Sequence, residues 1–283
     1  MTVFLITGAS SGLGCELGLT ALRLGHKVFG ITRNSDRARV SNPNFENLGG
    51  VWCELDVSSA SCDNLVRDIA EKENVDVLVN SAGYALLGPV EQISDAEAHA
   101  QMETNFHGTL RAIRGVLPTF RSRRSGTIVN ITSGAGFIGL ASRGLYASSK
   151  FAVEGLSEAL ANELAPFNIR IIIAEPGAYR TNFMDTLTFP EAGLGEYIDT
   201  PAAKMVELTK DMRHRKLGDV AKAAEVLLSV ILGTGLASAE NIQKCLRVPM
   251  GQDCWPLAKK EAEAWLKELD TIEAISMSIG IEE

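Results

Sequence analysis

The chain has 283 residues, 46% of them hydrophobic and 22% charged, an ordinary globular composition with enough length for a sizeable core. Its net charge is −8, and no block of Lys/Arg stands out beyond Arg121, Arg123 and Arg124 at a predicted helix end, so nucleic acid and anionic membrane are poor partners. The five cysteines (15, 53, 62, 245, 254) are scattered without CxxC or a nearby His, which reads as reduced thiols in a cytoplasmic protein and predicts no metal site.

The chain enters an apolar, β-rich run at residues 2–7 (TVFLIT), which leaves no room for a signal peptide before it. A continuously apolar strand suits a parallel sheet covered on both faces. It ends in Gly8-Ala9-Ser10-Ser11-Gly12-Leu13-Gly14, followed by an amphipathic helical pattern that stops at Gly25. Strand, glycine turn and helix together bring backbone N–H groups and the positive end of a helix up to a diphosphate. The spacing is G-x-x-x-G-x-G, so neither the G-x-G-x-x-G fingerprint nor a P-loop applies.

A second strand at 27–31 runs into Thr32 and Arg33. Where such folds place an acid for a ribose 2′-hydroxyl, this chain offers a guanidinium, which suits a 2′-phosphate and hence NADP. A third strand at 51–55 ends in Asp56-Val57. Asp56 can accept from an adenine amino group or cap a helix predicted from Ser59. A fourth, at 75–79, runs into Asn80-Ser81-Ala82-Gly83, small enough for a flat ring to approach. Asn105 falls in the middle of a helical pattern, where its propensity is poor, so it either satisfies a buried backbone group or bends the helix.

The fifth strand, 127–131, leads through Ser133 and a Gly/Ala/Ser loop to a helix predicted from Tyr146, with Lys150 one turn on. Residues four apart share a helix face. A phenol beside an ammonium can trade a proton with a carbonyl or alcohol oxygen, because the cation stabilises the phenolate, and the Ser133 hydroxyl can hold that same oxygen. A sixth strand at 169–174 ends in Glu175-Pro176-Gly177-Ala178. Six β-rich runs separated by helices predict an α/β, doubly wound parallel sheet, with the polar candidates gathered at strand C-terminal ends.

From 182 to 218 the periodicity weakens, and apolar residues alternate with Gly and Pro before a charged helix at 201–215. We read this insert, within a single domain spanning 1–283, as a substrate lid. An amphipathic helix at 218–233, a short last strand at 246–248 and a C-terminal helix at 256–275 complete the chain. The apolar run 226–239 is too short to span a bilayer, which needs about 20 helical residues. The four histidines are read as surface or packing residues.

Taken in order, these motifs resemble the classical short-chain dehydrogenase/reductase family over nearly the whole chain. Residues 7–14 match TGxxxGxG, Asp56-Val57 its adenine contact, and Asn80-Ser81-Ala82-Gly83 its NNAG with Ser81 in place of the second Asn. Asn105, Ser133, Tyr146 and Lys150 fall in the order of its catalytic tetrad. Pro176, Gly177, Ala178 and Thr181 resemble the segment that closes over the nicotinamide. The tail after Glu175 and the Gly251-Gln252-Asp253 turn resemble an NADP-preferring carbonyl reductase and alcohol dehydrogenase subgroup. The resemblance implies a Rossmann-like, NADP(H)-dependent oxidoreductase acting on a small carbonyl or alcohol, and the Phe, Met and Leu of the insert point to a hydrophobic one. Tyr146 would be the acid/base, Ser133 the oxygen anchor, and Lys150 both the phenol's cation and a ribose contact. Asn105 would hold a relay water. It also implies a homodimer or homotetramer built on the helices that carry Asn105 and Tyr146. Two rivals stay open: an epimerase or dehydratase with the same tetrad, and a non-catalytic NADP-binding sensor.

Overall fold

A strand without a single charged side chain is stable only where both its faces are covered. The computed structural model, which describes residues 1–211 and 217–280, buries all five residues of β1 (Val3–Thr7) inside a seven-stranded sheet. The other strands are β2 (Lys27–Thr32), β3 (Val51–Glu54), β4 (Val77–Asn80), β5 (Gly126–Ile131), β6 (Ile169–Pro176) and β7 (Arg247–Met250). Their order is β3-β2-β1-β4-β5-β6-β7, and every neighbouring pair is parallel. The expected doubly wound sheet is therefore present, with its order reversing between β1 and β4.

Alternate residues of β1 feed two cores, as strand geometry requires. Phe4 and Ile6 pack with Leu17, Val28, Phe45 and Leu227 on one face, while Val3 and Leu5 pack with Val66, Ile113, Phe120 and Ile128 on the other. The first face is covered by α1 (Gly12–Arg23), by α2 (Ser35–Ser41) and α3 (Pro43–Asn47) through Ala38 and Phe45, and later by α9. The second is covered by α4 (Cys62–Glu73), α6 (Gly108–Arg123) and α7 (Gly144–Leu164), with α5 (Asp95–Met102) leading into α6. The chain ends with α8 (Pro201–Asp211), α9 (Val220–Leu232), α10 (Glu240–Gln243) and α11 (Cys254–Met277).

Several boundaries move for identifiable reasons. Val75 is not in β4, because its N–H closes α4 on the Ala70 carbonyl. The helix expected from Ser59 starts at Cys62 with Ser61 before it, so Asp56 does not cap it; the Asp56 carboxylate accepts instead from the Ser58 N–H at 2.9 Å and the Ser58 hydroxyl at 2.7 Å. The charged helix predicted to Arg215 is described as far as Asp211, and 212–216 lie outside the described residues. His26 is not without a partner: its Nδ1 accepts from the Thr2 N–H at 3.2 Å. The stretch 220–237 has a mean hydropathy of 1.7, apolar and long enough by composition to cross a membrane. Here the helix stops at Leu232 with Gly233 at φ +66°, and Ala224, Leu227 and Leu228 are core residues against the first face.

The β6–β7 edge encloses two carboxyl groups. Glu175 on β6 is 1% exposed and Glu154 on α7 is 4% exposed, and neither of the two Glu175 oxygens has a hydrogen-bond partner. Arg247 on β7 bridges Glu154 at 3.1 Å, Glu158 at 2.6 Å and Glu175 at 3.5 Å. One guanidinium cannot neutralise three carboxylates, so the most enclosed one keeps its proton. Burial, reinforced by Glu154 and opposed by Arg247, pushes the Glu175 carboxyl up to about 8. Because its folded value lies above its unfolded one, folding takes up a proton, and stability drains away as pH rises from the ordinary carboxylate range through about 8. Glu175→Gln mimics the protonated acid, so it is expected to melt with wild type at pH 5 and above it at pH 8.5, by roughly 3 °C or more. Parallel melting-temperature profiles for the two proteins would show that Glu175 is ionised in the fold.

Candidate active site

Open α/β sheets bind ligands where strand order reverses, outside the C-terminal ends of the strands. Here that place is between β1 and β4, and the loops after both are locked together. The Thr7 hydroxyl accepts from the Ser81 N–H at 3.1 Å and the Ala82 N–H at 3.2 Å. Gly8 sits at φ +64°, and a Cβ there would lie 2.7 Å from the Ala82 backbone; one at Gly14 would meet the Ser81 hydroxyl at 2.8 Å. Only glycine allows that approach. Behind them the Asn80 amide donates to Asn130 at 2.8 Å and the Asn130 amide to Ser157 at 2.8 Å, while the buried Asn80 Oδ1 is left without a partner.

Ser10, Ser11, Gly12 and Leu13 form the open side of this turn. Ser11 precedes α1 without a side-chain cap, and the first turn holds no acid. Its N–H groups and positive helix end are thus free of intramolecular anions, the arrangement that receives a phosphate. Thr181 faces the turn, 3.9 Å from where a Gly12 Cβ would stand.

Tyr146 and Lys150 are both buried at 7% exposure on α7, which begins at Gly144, two residues earlier than expected. The Ser133 hydroxyl stands close enough to the Tyr146 phenol to pull its pKa down. Ser133 follows β5 in extended backbone, and its hydroxyl also accepts from the Ala135 N–H at 3.2 Å. The Lys150 ammonium donates to the carbonyl of Ile131, the last residue of β5, at 3.0 Å. Strand end and helix are therefore pinned to each other on either side of the phenol.

Asn105 does both things its sequence position allowed. It lies in a π-helical turn, Glu103–His107, between α5 and α6, the kind of bulge that recurs at functional sites. Its side chain pairs with the Tyr84 backbone in both directions, accepting from the N–H at 3.1 Å and donating to the carbonyl at 3.0 Å. Its amide also donates to Ser149 Oγ at 3.0 Å, and that hydroxyl donates to the Tyr146 carbonyl at 2.7 Å. Gly83 closes the group, with Asn105 Oδ1 at 3.0 Å and Lys150 Nζ at 3.6 Å from a notional Cβ. Asn105, Gly83, Ser133, Tyr146 and Lys150, separated by up to 67 positions, thus converge.

Lys150 is turned toward Ile131, with its nitrogen 5.9 Å from the Tyr146 ring centroid. Burial raises the phenol above its ordinary value, while the Ser133 hydrogen bond and the Arg143 guanidinium pull it back. Burial likewise lowers the Lys150 ammonium to about 8, against an opposing pull from Glu154. Arg143 was not singled out from the sequence, although it stands three residues before Tyr146, where one helical turn brings them together. Its terminal nitrogen donates to Thr209 of α8 at 3.3 Å, and its buried Nε has no partner.

The remaining candidates spread along the crevice. Arg33 is exposed just after β2, and it draws the Asp56 carboxylate below its usual range together with the Ser58 hydrogen bonds, against the larger opposing effect of burial. Val57 is buried, its side chain against Gly108, so only its backbone is available to a ligand. Pro176, Gly177 and Ala178 are held by a residue the sequence reading treated only as part of a turn: Asp253 accepts from the Ala178 N–H at 2.8 Å. Beyond Thr181, Phe183 and Leu187 pack onto a cluster of Ala85, Leu87, Ala135, Tyr146 and Ala147.

A dinucleotide-type crevice with a buried Tyr–Lys pair defines an α/β oxidoreductase of the nicotinamide class. The model of the family described as short chain dehydrogenase matches residues 2–191, and the chain belongs to that family. It is 44% identical to oxidoreductase claN of Passalora fulva over 74% of this chain and 98% of that one. A short-chain dehydrogenase from Streptomyces avermitilis superposes with a TM-score of 0.87 at 31% identity, covering 99% of this chain and 100% of the other. A variant of actinorhodin polyketide ketoreductase solved with NADPH gives 0.69 at 28% identity, over 84% of this chain and 92% of that one.

Arg143 is among the groups that pull the phenol back down. Arg143→Met is expected to raise the Tyr146 pKa further, read as a shift of the phenolate absorbance titration to higher pH, while Arg143→Lys restores most of the shift. A pH profile identical to wild type would remove Arg143 from this role.

Proposed function

We propose that this protein interconverts a ketone or aldehyde with the corresponding alcohol, using NADP(H) and Tyr146 as general acid/base. The observation that carries the reading is the buried Tyr146 phenol beside the Ser133 hydroxyl, on the helix turn that Lys150 ties to the C-terminal end of β5. The glycine turn with its uncapped helix end, and the unpartnered Asn80 Oδ1 behind it, fit a bound dinucleotide.

In this reading the open turn 10–13 with Gly8 and Gly14 holds the diphosphate. Asp56 and the Val57 backbone meet the adenine, and Arg33 takes the 2′-phosphate. Asn80, Ala82 and Gly83 line the far wall, and Pro176, Gly177, Ala178 and Thr181 close over the nicotinamide. Bound NADP(H) supplies or accepts the hydride. The chain's own residues handle the oxygen and the proton. Ser133 donates a hydrogen bond to the substrate oxygen and orients it, and Tyr146 passes its proton to that oxygen in reduction or removes it in oxidation. A raised phenol pKa suits a group that must arrive protonated for reduction. Lys150 fixes Tyr146 against β5 and reaches the nicotinamide ribose. Asn105 holds the turn of α7 through Ser149 and carries the water through which the proton is replenished. Holding both reactants in one enclosed place accounts for much of the rate.

The apolar cluster around Tyr146, with Phe183 and Leu187 folded onto it, supports a hydrophobic substrate and a lid role for 182–218. The NADPH in the related ketoreductase supports the cofactor choice. Free cysteines throughout agree with a cytoplasmic setting.

Tyr146→Phe is expected to abolish NADPH-linked turnover across a panel of ketones and secondary alcohols while leaving NADPH affinity within about threefold. Retained turnover would reject Tyr146 as the acid, and cofactor binding without turnover in the wild type would favour the sensor reading. Arg33→Asp is expected to cost NADPH roughly 10- to 100-fold in affinity, the range that 1.5–3 kcal/mol for a charge-assisted bond represents, and to leave NADH unpenalised. Equal use of both cofactors by wild type and variant would exclude Arg33 as the phosphate contact.

A further inference from the structure

Helix α11 has 24 residues, about 36 Å of helix at 1.5 Å per residue. It is fixed to the sheet body only at its start. Cys254 is buried and donates to the Glu175 carbonyl at 3.1 Å, and Leu257 lies near Gly134. From Ala262 to the end of the helix every residue is exposed, including Trp265 at 65%, Leu269 at 43% and Ile272 at 44%. A helix standing free in water gains little from its own hydrogen bonds, and most helical stability comes from covering an apolar face. This one has such a face and nothing on it.

The face has a definite period. Its apolar positions are Trp255, Ala258, Ala262, Trp265, Leu269 and Ile272, alternating steps of three and four, until the polar Ser276 interrupts them near the helix end. That is a 3.5-residue repeat over about two and a half heptads, the period of a coiled-coil seam rather than of a helix lying on a sheet. The charges argue against a lipid surface, since α11 carries Lys259, Lys260 and Lys267 against five carboxylates, on a chain of net charge −8.

We propose that α11 is a self-association seam that pairs antiparallel with α11 of a second copy. Flanking charges select that direction. Antiparallel pairing sets Lys259 beside the partner's Glu273, twice by symmetry, and the single like-charge meeting is Glu268 with its own counterpart at the rim. Parallel pairing sets Glu268 beside the partner's Glu273 twice, with no opposite-charge pair to offset it. The layers also fit antiparallel: Trp265 meets the partner's Leu269, and Ala262 leaves room for the partner's Ile272. Leu266 meets its own counterpart next to the dyad, as a self-complementary interface requires. The seam is separate from the α6 and α7 surfaces that the family resemblance implies for subunit pairing, and it does not depend on the reaction assigned to the site.

The test uses the full chain in light scattering at micromolar concentration, with turnover per subunit as the control for folding. Trp265→Glu combined with Leu269→Glu is expected to halve the assembly mass and leave turnover per subunit within about twofold. Glu273→Lys is expected to weaken the assembly, and adding Lys259→Glu to restore it. Leu266→Cys is expected to form a covalent dimer on oxidation, above the background from exposed Cys245 in wild type. A monomeric wild type, or an unchanged mass in the double variant, overturns the seam. A halved mass without cross-linking or charge-swap rescue overturns the pairing of α11 with itself.

Discussion

The Lys150 ammonium, buried and bonded to the last carbonyl of β5, is the contact on which the site's geometry depends. A cation taken out of water needs an acceptor, and a strand-end carbonyl is a fixed one. By meeting that need, Lys150 locks the first turns of α7 to the sheet and places Tyr146, one turn earlier, level with Ser133. The same turn is backed from the other side by Asn105 through Ser149. The ammonium's own pKa, lowered to about 8, records how much hydration was given up for the arrangement. Exposed lysines on the outer helix faces face no such penalty and set no geometry.

Sequence periodicity reached most of this architecture because parallel strands buried on both faces leave an unmistakable mark. Runs such as Ile171–Ala174 within β6 are continuously apolar, and the glycines and small polar residues after such runs fall at the C-terminal edge. Ser133, Tyr146 and Lys150 were legible because the first follows a strand and the others share a helix face. Features made by partners far away in the chain were not legible. Asn105 reads as a helix-disfavoured residue until Tyr84 and Ser149, 21 and 44 positions away, are beside it. A local propensity scale contains no information about such partners.

Buried charge shows the same gap more sharply. Four-residue spacing predicts that Lys150 lowers the phenol's pKa, but spacing says nothing about where a flexible ammonium finds its acceptor. It finds Ile131, while Arg143, bonded to Thr209 of α8, also acts on the phenol. Likewise Glu175 looks like a strand-end carboxylate, yet it is enclosed by Glu154 and shares one guanidinium with two other acids. Burial decides both cases, and burial is a property of the assembled layers.

Beyond residue 191, where the family match ends, the reading becomes one of surfaces rather than motifs. Just before that point, Phe183 and Leu187 find cover on Ala85, Leu87 and Tyr146, so their apolar character is used within the subunit. The stripe on α11 is not used in this way, although its residues are as apolar and more regularly spaced. A sequence pattern can state that a face wants covering and with what period, but the sheet ends at β7 and offers α11 nothing past its first turn. A repeat of 3.5 residues matches another helix of the same repeat far better than it matches a sheet or a loop. The demand left over by folding is therefore a demand for a second chain, and the self-complementary charges at Lys259 and Glu273 make a copy of this one the natural match.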